Sequence, residues 1–110
     1  MINDVFDFVA VYGIEVVKAS LDNGVIEMKD YKSGKTFGYG ELTEIVRCCD
    51  FVKEFGYTNL VKSIEKNNGD TDFSKFLLGM QTHKLGVVQS LLISADNLGL
   101  LHKFKHAFGD

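Results

Sequence analysis

The spacing of apolar residues changes twice along the chain, and this change constrains the fold more than any other feature of the sequence. Asn3 can cap a short helix that runs from Asp4 to about Val11. The next two runs, IEVVKAS and VIEMKD, are rich in residues that favour strands, and the Asn-Gly pair between them is typical of a hairpin. Because a third such run, KTFGY, follows a second turn, the pattern predicts a three-stranded antiparallel β-meander.

The helical period returns at Glu41. The strongest stripe of the chain consists of Leu42, Ile45, Cys49 and Val52, and this helix ends at Gly56. Thr58 then caps a shorter helix over 58–66. A further helix is expected from about residue 70, with a stripe of Phe73, Phe76, Leu77 and Met80.

Two more helices are expected in the carboxy-terminal part. The first has Leu85, Val88, Leu92 and Ala95 at helical spacing, and the last has Leu98, Leu101, Phe104 and Phe108 on one face. The chain is thus predicted to have an α+β fold, with a short N-terminal helix, a three-stranded antiparallel β-meander and then four to five helices. Its 110 residues suit a single domain, 1–110.

Charge and cysteine usage limit the classes of protein to consider. The formal net charge is −3, which argues against binding nucleic acid without regard to its sequence. No apolar run approaches the roughly 20 residues of a membrane-spanning helix, and the first ten residues lack the basic charge of a secretory signal. Cys48 and Cys49 are adjacent and are expected to be reduced thiols, so we expect a cytoplasmic protein without membrane contact.

The sequence carries no motif typical of catalysis. His102 and His106 lie four residues apart and His83 could join them, but a solvated helix edge explains this spacing better than a metal site does. Cys48 and Cys49 are expected to be core thiols. The glycines at 34, 38 and 40 match no phosphate-binding loop. We therefore expect a protein that is not an enzyme, with no cofactor and no metal.

The most informative stretch is residues 50–64, which contains a helix end, a glycine turn, a capping Thr58 and a second helix. This order is typical of a helix-turn-helix, whose second helix would present its polar side to DNA or to a partner protein. The candidate DNA- or partner-binding residues are Arg47, Lys53, Tyr57, Thr58, Asn59, Lys62, Ser63 and Lys66.

The same stretch resembles the central motif of the Bro-N domain, found in phage antirepressors and in baculovirus repeated-ORF proteins. In that motif Asp-Val is followed by Leu-Gly-Tyr-Ser/Thr-Asn and then by Lys and Ile. The matching residues here are Asp50, Gly56, Tyr57, Thr58, Asn59, Lys62 and Ile64, with Phe55 in place of the Leu. The tail HKFKHAF loosely resembles the closing Lys-Phe-Lys helix of the family, whereas Leu60 and Ala107 depart from its pattern.

The resemblance implies an α+β regulatory domain that acts in phage or viral gene control by contacting double-stranded DNA or a repressor or other regulatory protein. An alternative function belongs to a different class: a small acidic inhibitor that binds and blocks a host or defence protein. This hypothesis depends on acidic residues of the first half, among them Asp22, Glu27, Asp30, Glu41 and Glu44. The number of aromatic residues also makes a homodimer through the last helix a hypothesis.

Overall fold

A computed structural model of the chain describes residues 4–66 and 82–108. The helices in these ranges are α1 (Asp4–Tyr12), α2 (Ile14–Asp22), α3 (Tyr39–Val52), α4 (Tyr57–Lys66), α5 (Thr82–Asn97) and α6 (Lys105–Phe108). The strands are β1 (Glu27–Lys29) and β2 (Thr36–Gly38), and single 3-10 turns span Lys53–Phe55 and Leu101–Phe104. The helix expected to carry Phe73, Phe76, Leu77 and Met80 lies outside the described residues.

The predicted three-stranded meander is wrong, because the run IEVVKAS forms helix α2 rather than a strand. Ile14 and Val17 are buried, and Leu21 is half-buried and packs against the core. These three residues have helical spacing, so a helix can bury all of them on one side, whereas a strand would turn Ile14 and Val17 to opposite faces. The part of the chain that the structure describes is therefore a mainly helical α+β fold with a two-stranded antiparallel sheet.

The Asn-Gly pair that favoured a hairpin ends helix α2 instead. Gly24 has a φ of 91°, which is a left-handed conformation that favours glycine. The amide of Val25 donates to the carbonyl of Ser20, and the amide of Gly24 donates to the carbonyl of Leu21. This pair of bonds is the Schellman arrangement, which satisfies carbonyls that a helix end leaves without a partner.

The two strands form a short hairpin in which Met28 lies opposite Phe37. Phe37 is buried, and Met28 packs against the core from the same side of the sheet. The turn is held by Asp30, whose carboxylate accepts hydrogen bonds from the Lys32 amide at 3.1 Å and from the Ser33 hydroxyl at 2.8 Å. Side-chain hydrogen bonds of this kind are common where Asp begins a turn.

Helix α5 is the centre of the core, and it packs against α1, α3 and α4. Its expected stripe is confirmed: Leu85, Val88, Leu92 and Ala95 are all buried. The glycine at its end, Gly99, has a φ of 72° and repeats the Schellman arrangement of α2. None of the helices in the described ranges has the length and hydrophobicity that a membrane span requires.

Candidate functional site

The candidate site is the bend between α3 and α4. The 3-10 turn Lys53–Phe55 continues α3, and Gly56 then adopts φ 84° and ψ 152°, a conformation open almost only to glycine. The side-chain amide of Asn59 donates to the carbonyl of Phe55 at 2.6 Å, and the amide of Leu60 donates to the carbonyl of Gly56 at 3.1 Å. These two bonds fix the direction in which α4 leaves the bend.

The inner side of α4 is anchored to the carboxy-terminal part of the chain. Leu60 is 1% exposed, and the half-buried Tyr57 donates a hydrogen bond from its hydroxyl to the Leu101 carbonyl at 3.3 Å. Burial, and secondarily the Asp96 carboxylate, raises the pKa of the Tyr57 phenol above its ordinary value. Tyr57, one of the expected contact residues, therefore makes a contact within the protein.

The outer side of α4 is the surface that the sequence singled out. Thr58, Asn59 and Lys62 are all exposed, so neither the strands nor the closing segment covers them. Ser63 and Lys66 are part of the same helix. We call the residues Thr58, Asn59 and Lys62 the outer face of α4.

Arg47 and Lys53 lie on a different surface, between α2 and α3. Arg47 lines a cleft of about 220 Å³ with Tyr39 and Thr43, and Lys53 lines a cleft of about 130 Å³ with Cys49 and His106. Both clefts are also lined by Lys18 and Asp50, whose ammonium nitrogen and carboxylate oxygen are 3.2 Å apart. The two clefts are therefore one continuous surface, which we call the α2–α3 groove.

The groove contains charges of both signs. Its acidic side chains are Glu15, Asp22 and Asp50, and its basic side chains are Lys18, Arg47 and Lys53, with His106 at one end. A groove that follows a nucleic-acid backbone presents a continuous basic surface. Arg47 and Lys53 stand among carboxylates and do not form a continuous basic surface with each other.

Sequence reasoning missed Glu15 and Lys18 as neighbours of Asp50. It assigned residues 14–20 to a strand, so these side chains had no predicted position relative to α3. The helical spacing of Ile14, Val17 and Leu21 was the signal that could have found them, since it leaves Glu15 and Lys18 on the flanks of a helix.

Three polar residues that carry the resemblance to the Bro-N motif make contacts inside this chain. Asp50 pairs with Lys18, Tyr57 donates to Leu101, and Asn59 donates to Phe55. Each contact joins α3, the bend or α4 to a neighbouring segment. Tyr57 and Asn59 thus make their contacts at the bend, whereas Asp50 joins α3 to α2, and Asn59 is also exposed.

The cysteines and His83 form a small cluster on α3 and α5. The Cys48 thiol donates to the Glu44 carboxylate at 3.6 Å, and the same Glu44 oxygen is 3.2 Å from the Nε2 atom of His83. The hydrogen bond with His83, and then the one from Cys48, lowers the pKa of Glu44. Burial, and then the Glu44 carboxylate, raises the pKa of Cys48 to about 11, and burial raises the pKa of Cys49 as well. The raised pKa of each free thiol disfavours the thiolate, which is the form that acts as a nucleophile.

Two further groups of side chains bear on the sequence predictions: the candidate metal ligands and the acidic residues of the first half of the chain. Within residues 4–66 and 82–108, no three His, Cys, Asp or Glu side chains are placed to hold one metal ion. The acidic residues Asp22, Glu27, Asp30, Glu41 and Glu44 are distributed over α2, the hairpin and α3. Asp30 and Glu44 already accept hydrogen bonds within the protein.

Comparison with known proteins adds no relative: no family model, no curated protein and no solved structure matches this chain.

Proposed function

We propose that this protein is a non-catalytic regulator of the phage or virus type that binds a repressor or other regulatory protein through the outer face of α4. The observation that carries the proposal is the division of α4 into two sides. Leu60 and Tyr57 fix the helix to the core, while Thr58, Asn59 and Lys62 are exposed directly after a rigid bend. A helix held in this way presents polar side chains to a partner with little loss of conformational entropy on binding.

A protein partner is favoured over double-stranded DNA by the charges around the bend. Affinity for DNA comes mainly from Lys and Arg that neutralise phosphates. Lys53 and Arg47, two of the cations near the bend, lie in the α2–α3 groove among Glu15, Asp22 and Asp50, so of the sequence's candidate cations with a described side chain only Lys62 is on the outer face of α4. Alternating charges of both signs suit the rim of a protein interface, where complementary pairs determine orientation and specificity.

Two further observations support the proposal. The residues that resemble the phage antirepressor motif lie at this bend, so the part of the chain that suggests regulation and the part that presents the exposed helix coincide. Cys48 and Cys49 are free thiols, which is typical of a reducing compartment, and we place the activity in the cytoplasm.

Affinity capture from the native cell extract tests this proposal with three immobilised forms of the chain: wild type, Lys62→Glu and Lys103→Glu. Lys103 is the matched control, because it is also an exposed lysine but lies in the 3-10 turn before α6. We expect a protein that wild type and Lys103→Glu retain and that Lys62→Glu loses.

A mobility-shift assay with duplex DNA at low salt accompanies the capture. We expect no shift, because the net charge of the chain is −3. A shift that Lys62→Glu abolishes would instead assign the outer face of α4 to DNA. A protein that all three forms retain equally would remove α4 from the contact surface.

A further inference from the structure

The hairpin has an open edge. Within the part of the chain that the structure describes, β1 pairs with β2 on one side and with no strand on the other. The amide of Asp30 donates to the carbonyl of Lys35, so Asp30 and Lys35 occupy a hydrogen-bonded position of the ladder, while the Asp30 carbonyl accepts from the Gly34 amide in the turn. Hydrogen-bonded pairs alternate along an antiparallel ladder, so Met28 and Phe37 form the next one. The backbone groups of Glu27 and Lys29 therefore point away from β2.

The side chains at this edge are unusually exposed for apolar residues. Among the large apolar residues of the described ranges, Tyr31 at 82% and Ile26 at 73% are the most exposed, and they lie at opposite ends of β1. Val25 is exposed as well. The ammonium of Lys29 is 5.7 Å from the centre of the Tyr31 ring, which places these two side chains on the same face of the hairpin. An open edge of this kind, with exposed apolar residues at both ends, can form backbone hydrogen bonds with a further strand.

We propose that β1 pairs antiparallel with β1 of a second copy of this chain, around a two-fold axis at Met28, to form a continuous four-stranded sheet. In this arrangement Glu27 and Lys29 of each copy exchange backbone hydrogen bonds with Lys29 and Glu27 of the other. A two-fold interface of this type uses the same segment twice, so the segment must be complementary to itself when it is reversed.

The segment from Val25 to Tyr31, VIEMKDY, meets this requirement through its charges. Reversal around Met28 places each Glu27 directly opposite a Lys29, which is a favourable cross-strand pair. Val25 and Tyr31 flank β1 on its two sides, so the same register brings the exposed Val25 of one copy to the end of the sheet where the exposed Tyr31 of the other lies. Ile26 lies opposite Asp30, whose carboxylate is already hydrogen-bonded in its own turn. Charge complementarity thus selects a second copy as the occupant of this edge.

Charge reversal at the edge removes no cross-strand ion pair of the hairpin, and Lys29→Glu additionally loses the contact of Lys29 with the Tyr31 ring. Within one copy, Glu27 lies opposite Gly38 and Lys29 lies opposite Thr36, so neither residue faces a charged partner across the hairpin. Both side chains are exposed on the face away from the core. Glu27→Lys and Lys29→Glu therefore change the proposed interface without removing a cross-strand ion pair of the monomer.

The experiment is sedimentation equilibrium of the full chain at low ionic strength, with five forms: wild type, Glu27→Lys, Lys29→Glu, the double exchange of both charges, and Lys103→Glu. We expect wild type to associate reversibly to twice the 12.3 kDa of one chain. Each single reversal places like charges opposite one another at two symmetric positions, so we expect the dimer Kd to rise by about tenfold or more. The double exchange restores opposite charges and is expected to restore the Kd of wild type.

Lys103→Glu is the control. Lys103 lies in the 3-10 turn before the last helix, so this substitution also tests the alternative dimer through that helix. We expect it to leave the Kd unchanged. A wild-type mass of 12.3 kDa at high micromolar concentration would overturn the proposal. The proposal would also be overturned if the double exchange dimerised no better than the single reversals. A dimer that only Lys103→Glu weakens would overturn it as well.

Discussion

The hydroxyl of Tyr57 donates a hydrogen bond to the carbonyl oxygen of Leu101 at 3.3 Å, and this contact joins the first residue of α4 to the 3-10 turn before α6. The two residues are 44 positions apart in the chain, so the bond fixes the start of α4 against a distant segment. Together with the burial of Leu60, it determines which side of α4 faces solvent.

Tyr57→Phe removes this hydrogen bond and keeps the ring. We expect the free energy of unfolding to fall by roughly 0.5–1.5 kcal/mol, because the Leu101 carbonyl loses its side-chain donor. Urea denaturation measures the change. Tyr31→Phe is the control: the Tyr31 side chain is 82% exposed, and its loss of a hydroxyl is expected to leave stability unchanged. Equal effects of the two substitutions would contradict the role assigned to Tyr57.

Two glycine substitutions are expected to change the free energy of unfolding in opposite directions. Gly56→Ala places a side chain at φ 84°, and we expect it to destabilise the protein by about 1–3 kcal/mol. Gly86→Ala lies inside α5, where an added Cβ meets nothing within 4 Å, and we expect it to stabilise the protein by about 0.5–1 kcal/mol. Thermal unfolding of both variants tests the sign. A stabilising Gly56→Ala would show that the bend does not depend on glycine.

Leu60→Ala tests how firmly α4 is attached. Leu60 is 1% exposed, so truncation leaves a cavity as well as removing buried apolar surface, and we expect a loss of about 2–5 kcal/mol. The same substitution at Leu98, which is 45% exposed, is expected to cost far less. Denaturant unfolding of the two variants provides the comparison, and similar losses would mean that α4 is only loosely packed.

The buried thiols predict a dependence of stability on pH. Cys48 has a pKa of about 11 in the folded protein against an ordinary value of 9.0. A raised folded-state pKa means that the stabilisation is complete below pH 9.0 and is lost as the pH rises through about 11, because the thiol ionises more readily in the unfolded chain.

Cys48→Ala is expected to flatten this alkaline fall in the free energy of unfolding relative to wild type. Cys49, whose pKa burial also raises, is present in both proteins, so we expect part of the alkaline fall to remain in Cys48→Ala. Reaction of the native thiols with a disulfide reagent at pH 8 is expected to be much slower than in denaturant. Rapid modification of Cys48 in the folded protein would contradict its assigned burial.

The sequence predicted helices where apolar spacing and burial agree, and failed where strand propensity competed with spacing. The stripe of α5 from Leu85 to Ala95 was predicted correctly, because a helix buries all of its members at once. Residues 14–20 were assigned to a strand because Ile14, Val16 and Val17 favour strands locally. Burial of Ile14 and Val17 against the core outweighs that preference, whose size is only about 1 kcal/mol per residue.

The candidate site was predictable in part for a similar reason. The glycine turn and the polar side of α4 follow from local sequence, and Thr58, Asn59 and Lys62 are indeed exposed. The surroundings of Arg47 and Lys53 depend on which helix packs against α3. They could not be predicted, because residues 14–20 were assigned to a strand and not to helix α2. The hydrogen bond of Tyr57 could not be predicted, because its partner, Leu101, lies too far along the chain for local patterns to reveal.

The most direct test of the account replaces Lys62, and separately Lys103, by a photo-crosslinking amino acid in the full chain, followed by irradiation in the native cell extract. If the outer face of α4 is the contact surface that we propose, position 62 gives a protein adduct and position 103 gives none of the same mass. Protein adducts from position 103 alone, or a nucleic-acid adduct from position 62, would contradict the account.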